Sequence, residues 1–386
     1  MKIGVLGTGM VGATIVQELT GKQNSKITEI IAVDISEEYL EKSLRHLNNK
    51  DNVTKKLVDF NDHGSVVQLL SEIDIAIACL PHALSLQTIE AAIEANCHLV
   101  DLVGSKYVEK KALHEKAKQS GVLIVPGCGV APGIVNVLAG RGVELLDEAD
   151  EVMMMCGGIP KEPISPLMYR LVFRLESVIG LYTRKPTAAK NGEVIELAPF
   201  SGKEDLTFPE PVGECEAIYS DPHSVAYTLK DKVKHISEKT IRHKGHFQKM
   251  KVLHELGFLD DTSIEIDNQT VNPKQFSMEV IKPHLTKGSH EDITALRVTV
   301  NGKKSGKNTT YTWEMIDQYD KERNITSMAK TTGFPAITVA EFIIDNKIKK
   351  TGVCAPEELI LGELFDDFIN KLSLKGIKIN KSIEEE

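Results

Sequence analysis

Through the first third of the chain, short apolar runs alternate with turns and longer amphipathic stretches. "KIGVLG" ends at Gly7, "EIIAVD" at Asp34, "TKKLVD" at Asp59, "IDIAIACLP" at Pro81, "CHLVDL" at Leu102 and "GVLIVP" at Pro126. Between them lie stretches of helical periodicity such as "GATIVQELTG", "LSLQTIEAAIEA" and "VEKKALHEKAKQSG", the last closed by a glycine at its C-cap position. Strand and helix repeated in this order predict βαβ units around a parallel sheet. Six such strands predict one complete doubly wound α/β domain over residues 1–128.

After Asp147 the period changes. "DEVMMMCGGIP", "TSIEIDN" and "ITALRVTVNGKKSGKNTTYTWEMIDQYD" alternate with period 2, and the Asn301–Gly302 pair predicts a hairpin turn between antiparallel strands. A second, α+β domain is expected over residues 129–333, with Met153, Met154 and Met155 filling its core. "FPAITVAEFIIDNKI" predicts a helix, followed by "TGVCAPEELI" and a polar tail, and residues 334–386 are expected to return to the first domain.

Composition narrows the partners. With 386 residues, 41% hydrophobic and 26% charged, the chain is long enough for two globular domains. A net charge of −9 leaves no basic stripe for nucleic acid. No run of about eighteen apolar residues is present to span a membrane, and the N-terminus lacks the apolar core of a secretory signal. Six cysteines without CxxC spacing are too sparse for a disulfide framework, which points to a cytoplasmic protein with a small-molecule partner.

"GVLGTGMVG" carries Gly7, Gly9 and Gly12 in G-x-G-x-x-G spacing, directly after an apolar strand and at the start of a helix. Gly7 permits the tight turn, Gly9 lets backbone approach a pyrophosphate, and Gly12 lets helix pack close to strand. Thr8, Met10 and Val11 complete the loop, and the helix N-terminus supplies free N–H groups for phosphate. Asp34, at the end of the second run, places a carboxylate where the ribose hydroxyls of a dinucleotide are read, or else caps the helix that follows. Its charge disfavours a 2′-phosphate and neither Ile35 nor Ser36 offsets it, so NAD is expected in preference to NADP. By position, Asp59 and Phe60 are expected to border the adenine, with Leu80 and Pro81 at the carboxyl edge of the sheet. The loop "PGCGVAPG" sits on the same edge, where its backbone from Gly127 to Gly133 and Cys128 are expected to line the nicotinamide side.

Taken together, the N-terminal fingerprint, "GVAPG" at 129–133 followed by Asn136, "GGIP" at 157–160, "KTIRHKGH" at 239–246, "TSMAKTTGFPA" and "TGVCAPE" resemble the saccharopine dehydrogenase-like superfamily. Within it the chain is most similar to the lysine 6-dehydrogenases. The resemblance implies an N-terminal Rossmann domain, an inserted α+β domain carrying substrate and dimer contacts, and NAD-dependent oxidation of the L-lysine ε-amine in a dimer or tetramer. Two positions depart from the lysine enzymes: His82 stands where a tyrosine is common, and Gly127 where an acidic residue is common. Tyr169, Glu176 and Thr331 are cleft residues by family position alone.

Amine oxidation requires a base for the nitrogen proton and a carboxylate for the cation. Asp101, at the end of the fifth strand, and His82, after the fourth, are candidates for those roles or are structural groups of the strand ends. "TIRHKGH" gathers Arg242, His243, Lys244 and His246, a cation cluster suited to a substrate carboxylate, or a solvated basic turn. His243 and His246 have H-x-x-H spacing without the glutamate or third ligand of a zinc site, so no metal is expected. A saccharopine-type secondary amine is the alternative substrate, with Arg170 and Arg174 for extra carboxylates, and a non-catalytic dinucleotide-binding protein is the other class.

Overall fold

The structure, a computed structural model, describes residues 1–21, 25–45, 47, 51–172 and 174–386. The chain divides into two compact units, one of residues 1–145, 223–228 and 329–378, the other of 146–222, 229–328 and 379–386.

The first unit is a seven-stranded parallel sheet. Its strands are β1 (Lys2–Leu6), β2 (Glu29–Asp34), β3 (Val53–Leu57), β4 (Ile75–Ala78), β5 (His98–Asp101), β6 (Leu123–Pro126) and the short Gly352–Val353, in the order β3-β2-β1-β4-β5-β6 and then Gly352–Val353. The first six follow the 3-2-1-4-5-6 order of a dinucleotide-binding sheet. Burial explains the unbroken apolar runs: every residue of β4 and β6 is buried, as in a parallel sheet covered by helices on both faces. Edge strand β3 instead exposes Thr54, Lys55 and Leu57. Charge on an edge discourages pairing with another chain.

The second unit is built on a nine-stranded mixed sheet. Its spine runs 204–208, 213–220, 233–243, β7 (Glu148–Pro160), 292–304, 307–318 and 380–385, with 187–190 and 193–196 branching from 233–243. Strand 233–243 is parallel to β7, and the other pairings are antiparallel. Helices Leu175–Thr183 and His246–Glu255 cover one face through a core that includes Tyr169, Ile179, Tyr182, Ile218, Phe247 and Met250.

Several expectations shift. The first unit extends past residue 128, because helix Ile134–Leu145 belongs to it, and it takes the 223–228 segment and residues from Ala329 onward. Gly140 shows how tightly that helix is seated: a Cβ there would lie 2.9 Å from the backbone oxygen of Glu357. The sixth strand is not the last, since Gly352–Val353 pairs with it. The polar tail becomes strand Asn380–Glu385 at the edge of the second sheet. The hairpin turn is not Asn301–Gly302 but Ser305–Gly306, whose φ values of 51° and 80° suit a two-residue primed turn joining Lys304 to Lys307. Asn301–Gly302 instead marks a register irregularity against β7, where a Cβ on Gly302 would fall 2.0 Å from the Glu148 oxygen. Of the three methionines, Met154 is fully buried.

Candidate active site

The glycine loop leaves β1 and enters helix Met10–Gly21. A Cβ on Gly12 would lie 1.8 Å from the Gly7 carbonyl oxygen, so only glycine lets the helix come this close to the strand. A Cβ on Gly7 would lie 2.8 Å from the Cys79 oxygen, and its φ is +87°. Gly9 differs: a Cβ there meets nothing within 4 Å. Its glycine is therefore not demanded by the protein's own packing, which leaves open space at that point of the loop. Met10 is half exposed, whereas Thr8 and Val11 are buried. The donor set and the free space fit a dinucleotide.

Asp34 ends β2 and is 7% exposed. Its Oδ2 accepts from the Thr8 backbone N–H at 2.7 Å and from the Thr8 hydroxyl at 3.1 Å, and its Oδ1 accepts from the Ser36 N–H at 3.0 Å. Three of about four acceptor positions are thus used to fix the carboxylate, and one is left. The helix that follows is capped by Ser36, whose Oγ accepts from the Tyr39 N–H, so capping is not the work of Asp34. Ile35 is exposed. Asp59 is also exposed and accepts from Asn61, but Phe60 and Leu80 lie in the hydrophobic core of the sheet. Their side chains fill the core of the sheet, and Pro81, half-buried, stays at the edge.

At the carboxyl edge of β4 and β5, His82 opens a short 3-10 turn, its Nδ1 3.0 Å from the Ser105 hydroxyl. Asp101 is 1% exposed and held by three donors. It accepts from the Ser85 hydroxyl at 2.5 Å and the Val103 N–H at 3.0 Å, and pairs with the Lys110 ammonium at 2.9 Å. Lys110, itself 1% exposed, also donates to the Val103 carbonyl. The sequence left Asp101 either a carboxylate for an amine or a structural group of the strand end; the structure has it in a buried ion pair with each partner hydrogen-bonded. Nothing in the spacing of Asp101 and Lys110 signals the pair, because they meet only through the turn between β5 and helix Tyr107–Ala112.

The loop after β6 is held by its own backbone. Gly129 N–H donates to the Pro132 oxygen, Gly133 N–H to Asn136 Oδ1 at 2.9 Å, and Asn136 Nδ2 to the Ser224 hydroxyl at 3.1 Å. Gly133, at φ +136°, has no room for a Cβ, which would stand 1.9 Å from the Gly129 oxygen. Cys128 is 1% exposed, and burial, with the Asp101 carboxylate nearby, pushes its thiol far above the ordinary range. Its side chain is a packed core group, neither a nucleophile nor a pocket lining.

In the second unit the "TIRHKGH" cluster separates. Arg242 is buried on strand 233–243, stacked on the Tyr169 ring at 4.9 Å, and donates through Nη1 to Thr240 Oγ1 at 3.1 Å and the Ile241 carbonyl at 2.7 Å. Its Nε has no hydrogen-bond partner, and no carboxylate lies within ion-pair distance among the described residues. His246 is 1% exposed, with Nδ1 2.7 Å from the Leu167 carbonyl and Nε2 2.6 Å from the Tyr182 hydroxyl. Burial first, and the Arg242 charge second, lower it to about 3, so it is neutral: Nδ1–H donates to Leu167 and Nε2 accepts from Tyr182. His243, against the Pro160 carbonyl at 2.7 Å, is likewise lowered by burial, and Lys244 points outward to Asp205 and Glu214. The cluster thus leaves one buried cation, Arg242. Arg170 is a second buried guanidinium, 2.7 Å from His290 Nδ1, whereas Arg174 and Glu176 are exposed. Thr331 is buried. Among the described residues no group of three His, Cys, Asp or Glu side chains could hold a metal ion, and no helix is long and apolar enough to cross a membrane. Tyr182 and Ser85 were invisible as site residues in the sequence, where neither carries a motif.

Comparison with known proteins agrees with this geometry. Residues 3–125 match the family model described as the saccharopine dehydrogenase NADP binding domain, and residues 129–377 match that of the saccharopine dehydrogenase C-terminal domain. The chain is 23% identical to saccharopine dehydrogenase [NADP(+), L-glutamate-forming] of Schizosaccharomyces pombe, with 99% of each chain covered. It is 24% identical to carboxynorspermidine synthase of Vibrio cholerae, covering 93% of this chain and 92% of that one. Apo saccharopine dehydrogenase (L-Glu forming) from Saccharomyces cerevisiae superposes with a TM-score of 0.80 at 15% identity, over 99% of both chains. A dinucleotide-binding sheet of this order, joined to a mixed-sheet unit and matched by both family models along nearly the whole chain, means that the protein belongs to the saccharopine dehydrogenase family of oxidoreductases.

Proposed function

We propose that this chain is an NAD-dependent dehydrogenase acting on the C–N bond of an amino acid, with the ε-amine of L-lysine as substrate and 2-aminoadipate 6-semialdehyde as product. The observation that carries the amino-acid reading is Arg242: a buried guanidinium with an orphaned Nε and no carboxylate partner among the described residues is costly unless an anion completes it. A substrate α-carboxylate supplies that anion. Asp34 supports NAD, since its fixed carboxylate has one acceptor position left for a ribose hydroxyl and no adjacent cation for a 2′-phosphate. The family model is described as an NADP binding domain and the fission yeast relative is named for NADP(+), so cofactor choice is a direct test of Asp34.

Gly7 to Gly12 would hold the pyrophosphate and Asp34 the ribose. The chemistry a bound nicotinamide would supply there is acceptance of a hydride from the amine-bearing carbon; the imine left after the nitrogen proton is removed is then hydrolysed by water to the semialdehyde, releasing ammonia. In the second unit the protein's own part is to hold a carboxylate on Arg242; in the first, the His82 imidazole, 3.0 Å from the Ser105 hydroxyl, is a group able to take up a proton. The Asp101–Lys110 pair fixes the strand end beside it.

A second reading is favoured by Arg170, a second buried guanidinium with an unpartnered Nε. It suits a secondary amine carrying a further carboxylate, of the kind named in the fission yeast relative. Purified protein incubated with NAD or NADP and with lysine, saccharopine, ornithine and pentane-1,5-diamine should reduce NAD with lysine and ignore the diamine, which lacks a carboxylate. Arg242→Lys should raise the lysine KM at least about tenfold, the loss of ~1.4 kcal/mol of binding. Faster turnover of saccharopine than lysine selects the second reading. No turnover with any amine overturns both, and preference for NADP overturns the Asp34 argument.

A further inference from the structure

Between Pro222 and Leu229 the chain leaves the second unit and belongs to the first for six residues, His223–Thr228. Buried side chains fasten this excursion near both ends. Asn136, fully buried, donates through Nδ2 to the Ser224 hydroxyl at 3.1 Å, and Glu357, also buried, accepts from the Thr228 hydroxyl at 2.7 Å. Val225 and Ala226 between them are buried as well. Asn136 follows "GVAPG" and Glu357 closes "TGVCAPE", so two of the motifs met in the sequence end in side chains that hold this segment.

What the fastened segment presents is its first residue. His223 is half-buried and stands in the left-handed region at φ 53°, a conformation that residues with a Cβ adopt sparingly and that is over-represented where a side chain has to be aimed. Its ring lies where Gly104 lacks a side chain: a Cβ there would stand 3.0 Å from His223 Nδ1 and 2.3 Å from Pro132 Cγ. The next residue, Ser105, carries the hydroxyl 3.0 Å from His82 Nδ1. Two imidazoles far apart in the chain thus reach the same pair of residues, Gly104 and Ser105. That pair lies just past the carboxyl end of β5, on the edge where doubly wound sheets bind their ligands.

Oxidative deamination removes protons twice. The substrate ammonium loses one before its carbon gives up hydride, and the water that adds to the protonated imine loses one as the C–O bond forms. His82 is able to take the first. Resting on the lysine reading above, we propose that His223 is a second catalytic imidazole, which accepts the proton of the attacking water and returns it to the nitrogen. The C–N bond then breaks as the new hydroxyl becomes the carbonyl and gives its proton to solvent, and ammonia is released. Hydride leaves the carbon in the first stage alone, and the second changes no oxidation state.

Stopped-flow absorbance with lysine and NAD separates the stages, because only the first makes NADH. In His223→Gln the first turnover should still produce its burst of NADH, which also shows the variant to be folded, while later turnovers slow at least about tenfold. Free imidazole should restore part of the steady turnover of His223→Ala. Lysine with NADH, a pair that cannot react, should shift the His223 ring signal of the wild type in an NMR spectrum, the signal being assigned by its loss in His223→Gln. Steady turnover unchanged in His223→Gln, a burst lost along with it, or a ring signal that ignores lysine each overturns the role of His223 and leaves the lysine reading standing. A wild type that reduces no NAD with lysine removes that reading, and the role of His223 with it.

Discussion

Single residues in this protein divide into those that packing demands and those that it does not. Gly12 and Gly9 are three positions apart in one motif, yet a Cβ would overlap backbone at the first and meet open space at the second. Gly12→Ala is therefore expected to cost roughly 3 kcal/mol or more, seen as a lowered unfolding midpoint of the first unit. Gly9→Ala should leave that midpoint within about 0.5 kcal/mol of wild type and weaken dinucleotide affinity at least about tenfold in a titration, or ~1.4 kcal/mol. Equal stability loss in both variants would remove the phosphate reading of Gly9. The same contrast separates Arg242 from His246. The sequence presents them as one cation cluster, but burial leaves the histidine neutral between Tyr182 and Leu167 and leaves the arginine charged.

Elements meet through groups that no local pattern announces. β5, helix Ser85–Glu94 and helix Tyr107–Ala112 are tied at one point by Asp101, Ser85 and Lys110. Removing one charge of a buried pair strands the other, at a cost of about 3–5 kcal/mol. Asp101→Asn should destabilise the first unit by that order, and Asp101→Asn combined with Lys110→Met should recover most of it, as read by chemical denaturation. If turnover returns along with stability in the double variant, Asp101 is a positioning group. If stability returns and turnover stays about 10²-fold low, it acts on the substrate's proton. The six apolar runs were legible because a doubly covered parallel strand must be apolar throughout. The turn at Ser305–Gly306 was not, since Asn301–Gly302 has the better turn composition and only pairing with β7 draws it into the strand.

At the scale of the whole molecule, acid sensitivity should follow the buried histidine of the second unit. His246 ordinarily titrates at 6.5 and is held to about 3 when folded, so the unfolded chain binds the proton more readily. Its contribution is complete above pH 6.5 and is lost progressively as pH falls from there toward 3. The unfolding midpoint of the second unit should therefore drop as pH is lowered through this window, and His246→Gln should flatten the drop while lowering the plateau. An unchanged slope in that variant would assign acid sensitivity elsewhere. By itself the sequence determined the first six strands of the first unit, its glycine loop with Asp34, the α+β character of the second unit and the family, because each follows from local periodicity or from a motif whose residues are near neighbours. Only the tertiary structure decided that Asp101 is paired, that Cys128 and Phe60 are core, that Arg242 is the one buried cation of its cluster, and where the chain crosses between units. Those are matters of burial and of partners far apart in the chain, and the local order of residues does not encode which distant groups will share a low-dielectric interior.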